Sequence, residues 1–534
     1  LAIGYEAMKT HTTGARNIAI GEGAMDDTDA GSTSLDSDHN VFIGLNSGGG
    51  TWANTKSEQN VAIGNSTMDS ALDGASNNTT VGYASLSSLT TGDNNTALGH
   101  QAANAITTAA GNIAIGNSAM LVHTTGARNI AIGSSAMDDT DAGSTSLASE
   151  DNTFIGHNVG GGTWTDVASN GNVGIGNYTM DSALNGALGN VSLGHYSLSE
   201  LTTGDYNVAI GQNAGLSITT GEKNIHIGRQ AGDTMTATSN TVLIGFEAGQ
   251  AINSTDANGT VAIGYGAAYS LTDGQNNTAV GNNAGNEILT GDNNTVIGFE
   301  AGSELKDDSN NTFLGSYAGF AIESAENTFI GAEAGYGVQG TTVGSQNTAI
   351  GYRTMYSHTT ANKNVAVGDQ ALQIITTGNS NVSVGMRASQ YNTVGSNTVH
   401  IGTEAGRYAT GSSNTFVGTN AGKGATTSAP YSSGASNTAV GNGAFDSFTT
   451  AAANVAIGDA ALGALTSATT NVAVGSQAGA SISGADAIEN VIIGGYAGTG
   501  GSGDLKRSVA IGKNALNSTG TADVLGVVAI GYNA

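Results

Sequence analysis

The segment Asn207-Val208-Ala209-Ile210-Gly211-Gln212-Asn213-Ala214-Gly215-Leu216-Ser217-Ile218-Thr219-Thr220-Gly221-Glu222-Lys223 is one lap of a repeat that accounts for the whole chain. Val208 to Ile210 is a β-prone run halted at Gly211, a second short run ends at Ile218, and Thr219-Thr220-Gly221 has the composition of a turn. The same tetrapeptide class, two residues of any kind followed by Ile, Val or Leu and then Gly, marks thirty successive laps between Gly4 and Gly531. Fifteen of the twenty-nine spacings are 17 and the others run from 16 to 23, so the unit is one short supersecondary element with adjustable loops. A lap of this length is too short for a helical-hairpin repeat of about 34 residues, and its Gly, Thr and Val content disfavours helix.

Composition narrows the function classes. The 534 residues include 82 Gly, 1 Pro and no Cys, with 42 acidic against 15 basic side chains and a formal charge of −27. Collagen is excluded, because it needs Gly at every third position and abundant Pro. With 38% hydrophobic and 11% charged residues, the chain also lacks the signature of disorder. No apolar run reaches the roughly 18 residues of a bilayer span, so membrane insertion is not expected of this segment. The acidic balance opposes nucleic acid as a partner. Zero Cys removes disulfides and thiolate metal sites. Leu1 opens in mid-pattern, so 1–534 reads as a continuous array cut from a longer chain. Within it, 4–116 and 116–228 form a segmental duplication: His11 to Leu35 matches His123 to Leu147 at 23 of 25 positions.

Two strands and two turns per lap suit either a meander of hairpins or a coil, and Asn favours the coil. It stands four residues before the motif Gly in 24 of the 29 complete copies, among them Asn17, Asn112, Asn129, Asn207, Asn224, Asn327 and Asn471. In a parallel coil such side chains stack at about 4.8 Å and their amides can bond in a ladder; in a meander they lie out of reach. The expected fold is therefore all-β, a parallel β-solenoid of about thirty 17-residue coils. Strand alternation assigns the faces. The residue before the Gly, always Ile, Val or Leu, and the one two earlier are expected inside. The central residue is expected outside, although it is Ala in sixteen copies and Phe at Phe42, Phe154, Phe313, Phe329 and Phe416, with His226 and His400 in the same row. A long apolar stripe on the outside marks an interface, so the chain is expected to oligomerise along this row.

Copies such as Asn60-Val61-Ala62-Ile63-Gly64 and Asn129-Ile130-Ala131-Ile132-Gly133 resemble the head repeats of trimeric autotransporter adhesins. The longer forms Thr90 to Gly99 and Asn293 to Gly302 are similar to arrays in phage tail fibres, which often end in an endosialidase-type chaperone domain. The resemblance implies a homotrimer of left-handed parallel β-rolls, intertwined or packed as a fibre, with a role in surface attachment.

The long loops are Asp26 to His39, its duplicate Asp138 to Asp151, and Lys423 to Ser436, which holds the only proline, Pro430. Asp26, Asp27, Asp29, Asp36 and Asp38 are oxygen ligands of the kind calcium takes, but their spacing is not that of an EF-hand or a calcium β-roll, and a solvated acidic loop is the competing reading. Trp52 and Trp164 each follow a triple glycine; they are either contact residues for a glycan or neighbouring subunit, or lids over the coil. Seven methionines four residues after the motif Gly are expected to fill the core. No His-Glu-x-x-His, nucleophile elbow or phosphate loop is present, so neither enzyme activity nor a cofactor is expected. The functional expectation is an extracellular structural fibre of a virion or cell surface, acting as spacer and attachment rod toward a glycan or protein receptor. The alternative is the subunit of an end-to-end extracellular filament.

Overall fold

The computed structural model describes residues 1–28, 36–52, 55–140, 148–164, 167–499, 505–517 and 523–534. The chain forms two compact units, Leu1–Asp273 and Gly274–Ala534. Each is a parallel β-solenoid, and between them they wind about 29 turns of ~17 residues with essentially no helix. Each lap contributes a three-residue strand that pairs in register with the strand of the next lap. In the first unit Val208, Ala209 and Ile210 lie opposite Ile225, His226 and Ile227; in the second Thr328, Phe329 and Ile330 lie opposite Thr348, Ala349 and Ile350. Loop insertions leave the register intact, as where Ile18 faces Val41.

The chain turns corners through left-handed residues: Asn213 at φ 58°, Gly215 at φ 56° and Lys223 at φ 60° in the lap quoted above. The motif glycine has a different task. Gly211 sits at φ +131°, and a Cβ on it would lie 2.7 Å from the backbone carbon of Gly228. Successive backbones touch along this column, which excludes every side chain.

Behind the strands runs the asparagine ladder. Where successive laps both carry Asn, the backbone N–H of one donates to the side-chain oxygen of the Asn a lap earlier: Asn112 to Asn95 at 3.0 Å, Asn129 to Asn112 at 2.9 Å, Asn207 to Asn190 at 2.8 Å, Asn327 to Asn311 at 2.9 Å and Asn471 to Asn454 at 3.0 Å. Asn17 accepts in the same way from Asn40. Asn207 Nδ2 also donates to Gly221 O at 2.9 Å, which ties the strand to the opposite turn of its own lap. Asn224 continues the row by accepting from Thr241 Oγ1 at 2.7 Å. These amides are buried, and each bond they make is worth on the order of 1 kcal/mol net.

The faces of the strand are the reverse of the expectation. The central residue points inward: Ala19, Ala209, Phe42, Phe154, Phe313, Phe329, Phe416, His226 and His400 are all completely buried. The flanking pair points outward, so strands read half-buried, buried, half-buried or exposed, buried, exposed. The reason is cross-section. A lap this short encloses room for one inward side chain per strand, against small residues such as Ala214 and the apolar residue that closes the lap, such as Ile218. Two β-branched columns do not fit there.

The interior is filled by size exchange between the central position and the residue six further on. All ten laps with a large centre carry Gly at the second position: Phe42 with Gly48, Phe154 with Gly160, His226 with Gly232, Leu243 with Gly249, Val296 with Gly302, Phe313 with Gly319, Phe329 with Gly335, His400 with Gly406, Phe416 with Gly422 and Ile492 with Gly498. Many laps with a small centre place a large residue there, as in Ala19 with Met25, Ala62 with Met68 and Ala349 with Met355, and these methionines are fully buried; Ala209, Ala279 and Ala473 are instead paired with Gly215, Gly285 and Gly479. A Cβ on Gly48 would stand 2.7 Å from Phe42 Cδ1, so the two positions compete for one volume.

His226, His358 and His400 sit in this interior, and burial drives the imidazoles down to about 3, about 4 and about 3 respectively. A neutral imidazole that takes its proton only below its unfolded value of about 6.5 makes the unfolded chain the better proton binder. Folding stability is therefore complete above pH 6.5 and falls as pH drops below it, on the order of 1.4 kcal/mol per pH unit per histidine. The half-buried carboxyls of Asp69, Asp181 and Asp233 are pushed up by desolvation and act in the opposite sense once they protonate at lower pH. The histidine window opens at about pH 6.5 and extends downward. His400 already stacks on Phe416 at 4.8 Å, and Gly406 leaves space for a ring. His400→Phe is expected to flatten the pH dependence of the urea midpoint in that window by the share of one histidine.

Candidate association surface

With the centre turned inward, the invariant Ile, Val or Leu column is the outer surface. Leu193 and Leu314 are each 45% exposed, Ile401 39% and Ile350 36%. Beside them runs the second outward column of Val, Thr and Ile, for instance Val191 and Val365, each 38% exposed. The in-register pairing aligns both columns within each unit. The result is a strip two side chains wide in each unit, one column wholly aliphatic and the other mixing Val and Ile with Thr, as at Thr312 and Thr348. One edge is bordered by polar and aromatic residues that follow the motif Gly, such as Tyr83 stacked on His100 at 5.3 Å, and Phe246 stacked on Tyr265 at 5.4 Å under the Arg229 guanidinium. The other edge carries left-handed polar residues such as Lys223 and Asn240. An apolar centre with a polar rim is the anatomy of a protein interface.

The other residues singled out from the sequence fall elsewhere. The five phenylalanines and two histidines of the expected stripe form no outer surface, and their place is taken by their neighbours on the strand. Trp52 and Trp164 are 1% exposed, which leaves the lid reading and removes them as contact residues. They pack edge-on against Phe42 at 5.7 Å and Phe154 at 5.9 Å. Trp52 Nε1 donates to Gly48 O at 3.2 Å, and its backbone N–H donates to Asp27 O at 3.0 Å.

Of the acidic set, Asp29 lies outside the described residues. Asp26 is half-buried, and desolvation raises its carboxyl above the usual range. Asp27 accepts from Thr10 Oγ1 at 3.4 Å and from Thr51 Oγ1, Asp38 accepts from the backbone N–H of Ala15, and Asp36 is exposed. Among the described residues no three His, Asp or Glu side chains gather in a metal-binding arrangement. No helix among the described residues is long and apolar enough to cross a membrane.

Two features escaped the sequence reading. The outer strip was readable in the pairing of large centres with Gly, a correlation within the chain that places both inside. The other is a cleft beside the Lys423–Ser436 loop, which no periodic pattern announces. No protein-family model matches the chain, and no curated protein matches it.

Proposed function

We propose that the protein is an extracellular structural fibre of a virion or cell surface, serving as spacer and attachment rod, and that it works as a homo-oligomer, a homotrimer in the reading the repeat resemblance suggests. The observation that carries this is the outward Ile/Val/Leu strip. A residue type held at all thirty copies on a solvent-facing column is not required by the interior, and exposed apolar strips of this kind mark surfaces that are covered. A second copy of the chain is the occupant argued for: its strip repeats with the same lap spacing, so contacts made at one lap recur at the next. The high negative charge disfavours random lateral sticking, which leaves the strip as the adhesive element.

The absence of Cys permits a direct test by thiol cross-linking. With Ile350→Cys, a short bis-maleimide is expected to join copies covalently. With Ala349→Cys, one residue away and fully buried, no cross-linked species is expected. Equal cross-linking of both, or of neither, contradicts the proposal.

A further inference from the structure

We infer that the cleft beside the Lys423–Ser436 loop is a binding site for a neutral saccharide. The inference rests on the attachment role proposed above and names what is attached. The loop is the insertion that carries Pro430, and it is held to the scaffold at both ends. Ala425 N–H donates to Phe448 O at 2.9 Å and Ser432 N–H to Tyr408 O at 3.0 Å. The fully buried Ser432 hydroxyl donates to Phe448 O at 2.8 Å. Between these anchors the loop borders a cleft of about 590 Å³, within the range of small-ligand sites.

Its lining is chemically specific. Thr393, Thr426, Ser428, Ser433 and Thr450 bring five hydroxyls to the cleft, and among the described residues none of the five has a protein partner for its side chain. Of the two turn residues in a lap, the first commonly spends its hydroxyl on the next lap, as Thr376 does on Thr393 O at 2.7 Å and as Thr410 and Thr449 do at the cleft, whereas Thr393 in the same place does not. Ser433 and Thr450 hold the second place, whose hydroxyl faces outward. Here donors and acceptors are left open on one concave surface.

Tyr431 supplies a ring at the same cleft. It is fixed by stacking on Tyr391 at 5.1 Å, which in turn stacks on Tyr408 at 5.3 Å. An immobilised aromatic ring beside several free hydroxyls suits a ligand with apolar C–H faces and many hydroxyl groups. No charged residue lines the cleft. The cations next to the tyrosines are committed: Arg407, 4.9 Å from the Tyr408 ring centre, and Lys423 both bond Glu404, at 2.8 and 2.7 Å. A neutral sugar fits this arrangement better than a sialylated or uronic one.

The test is a glycan array holding neutral hexose and N-acetylhexosamine oligosaccharides beside sialylated and uronate-bearing ones, probed with the full chain. Calorimetric titration with the strongest neutral binder then follows. Binding to neutral glycans is expected, weakened at least tenfold by Tyr431→Ala and by the double change Ser433→Ala, Thr450→Val. The double variant keeps the test valid if loss of the tyrosine stack disturbs the fold, because its hydroxyls support nothing in the protein. No glycan bound, acidic glycans alone bound, or both variants binding like the unaltered chain would each overturn the assignment. Self-association is read separately by mass. An assembled chain that binds no glycan overturns this assignment and leaves the oligomer standing; a monomer that binds neutral glycans through Tyr431 supports the assignment and overturns the oligomer.

Discussion

Gly335→Met is expected to destabilise the second unit by at least about 3 kcal/mol, and adding Phe329→Ala to the same chain is expected to restore most of the loss. In the native lap a Cβ on Gly335 would collide with the Phe329 ring, so a methionine has nowhere to go. Alone, Phe329→Ala empties the centre and costs about 3–5 kcal/mol. Together they reproduce the next lap, where Ala349 lies opposite Phe329 in the sheet and Met355 occupies the equivalent of Gly335. The backbone already tolerates this: Met355 sits at φ 50° and Gly335 at φ 57°. Urea unfolding of the four chains of the double-mutant cycle is expected to give a coupling energy of about 3 kcal/mol or more. Additive effects would mean that the two positions do not share a volume.

The second large effect concerns assembly. Replacing Leu193, Leu314, Ile350 and Ile401 by Lys is expected to reduce the protein to a monomer of about 52.7 kDa in sedimentation velocity. All four side chains point away from the interior, and lysines on an exposed strand face are a known means of blocking association. Each change is expected to shift folding stability by no more than about 0.5 kcal/mol. An unaltered mass would show that the strip is not the contact. Loss of the far-ultraviolet β signal along with the mass would show that these residues support the coil itself.

Much of the scaffold was legible in the sequence. The repeat length, the strand position and the Asn row follow from spacing and stacking alone, and the parallel register with bonds from Asn112 to Asn95 and from Asn471 to Asn454 follows from them. The choice of inner face does not, because hydrophobicity pointed the wrong way. Ile210 and Ile227 are more apolar than Ala209, yet Ala209 is the residue enclosed. What decides is volume: a narrow coil admits one side chain per strand and trades Phe against Gly, as at Phe416 and Gly422. The cleft was least legible, since it arises from a single insertion at Lys423–Ser436 and from hydroxyls whose freedom shows only in three dimensions.

The outer strip is the surface we propose to be covered by sister chains. Light scattering of the unaltered full chain at micromolar concentration tests this most directly. A defined multiple of 52.7 kDa, with three copies favoured, is the expected result. A mass of one chain, unchanged as concentration rises, would contradict it.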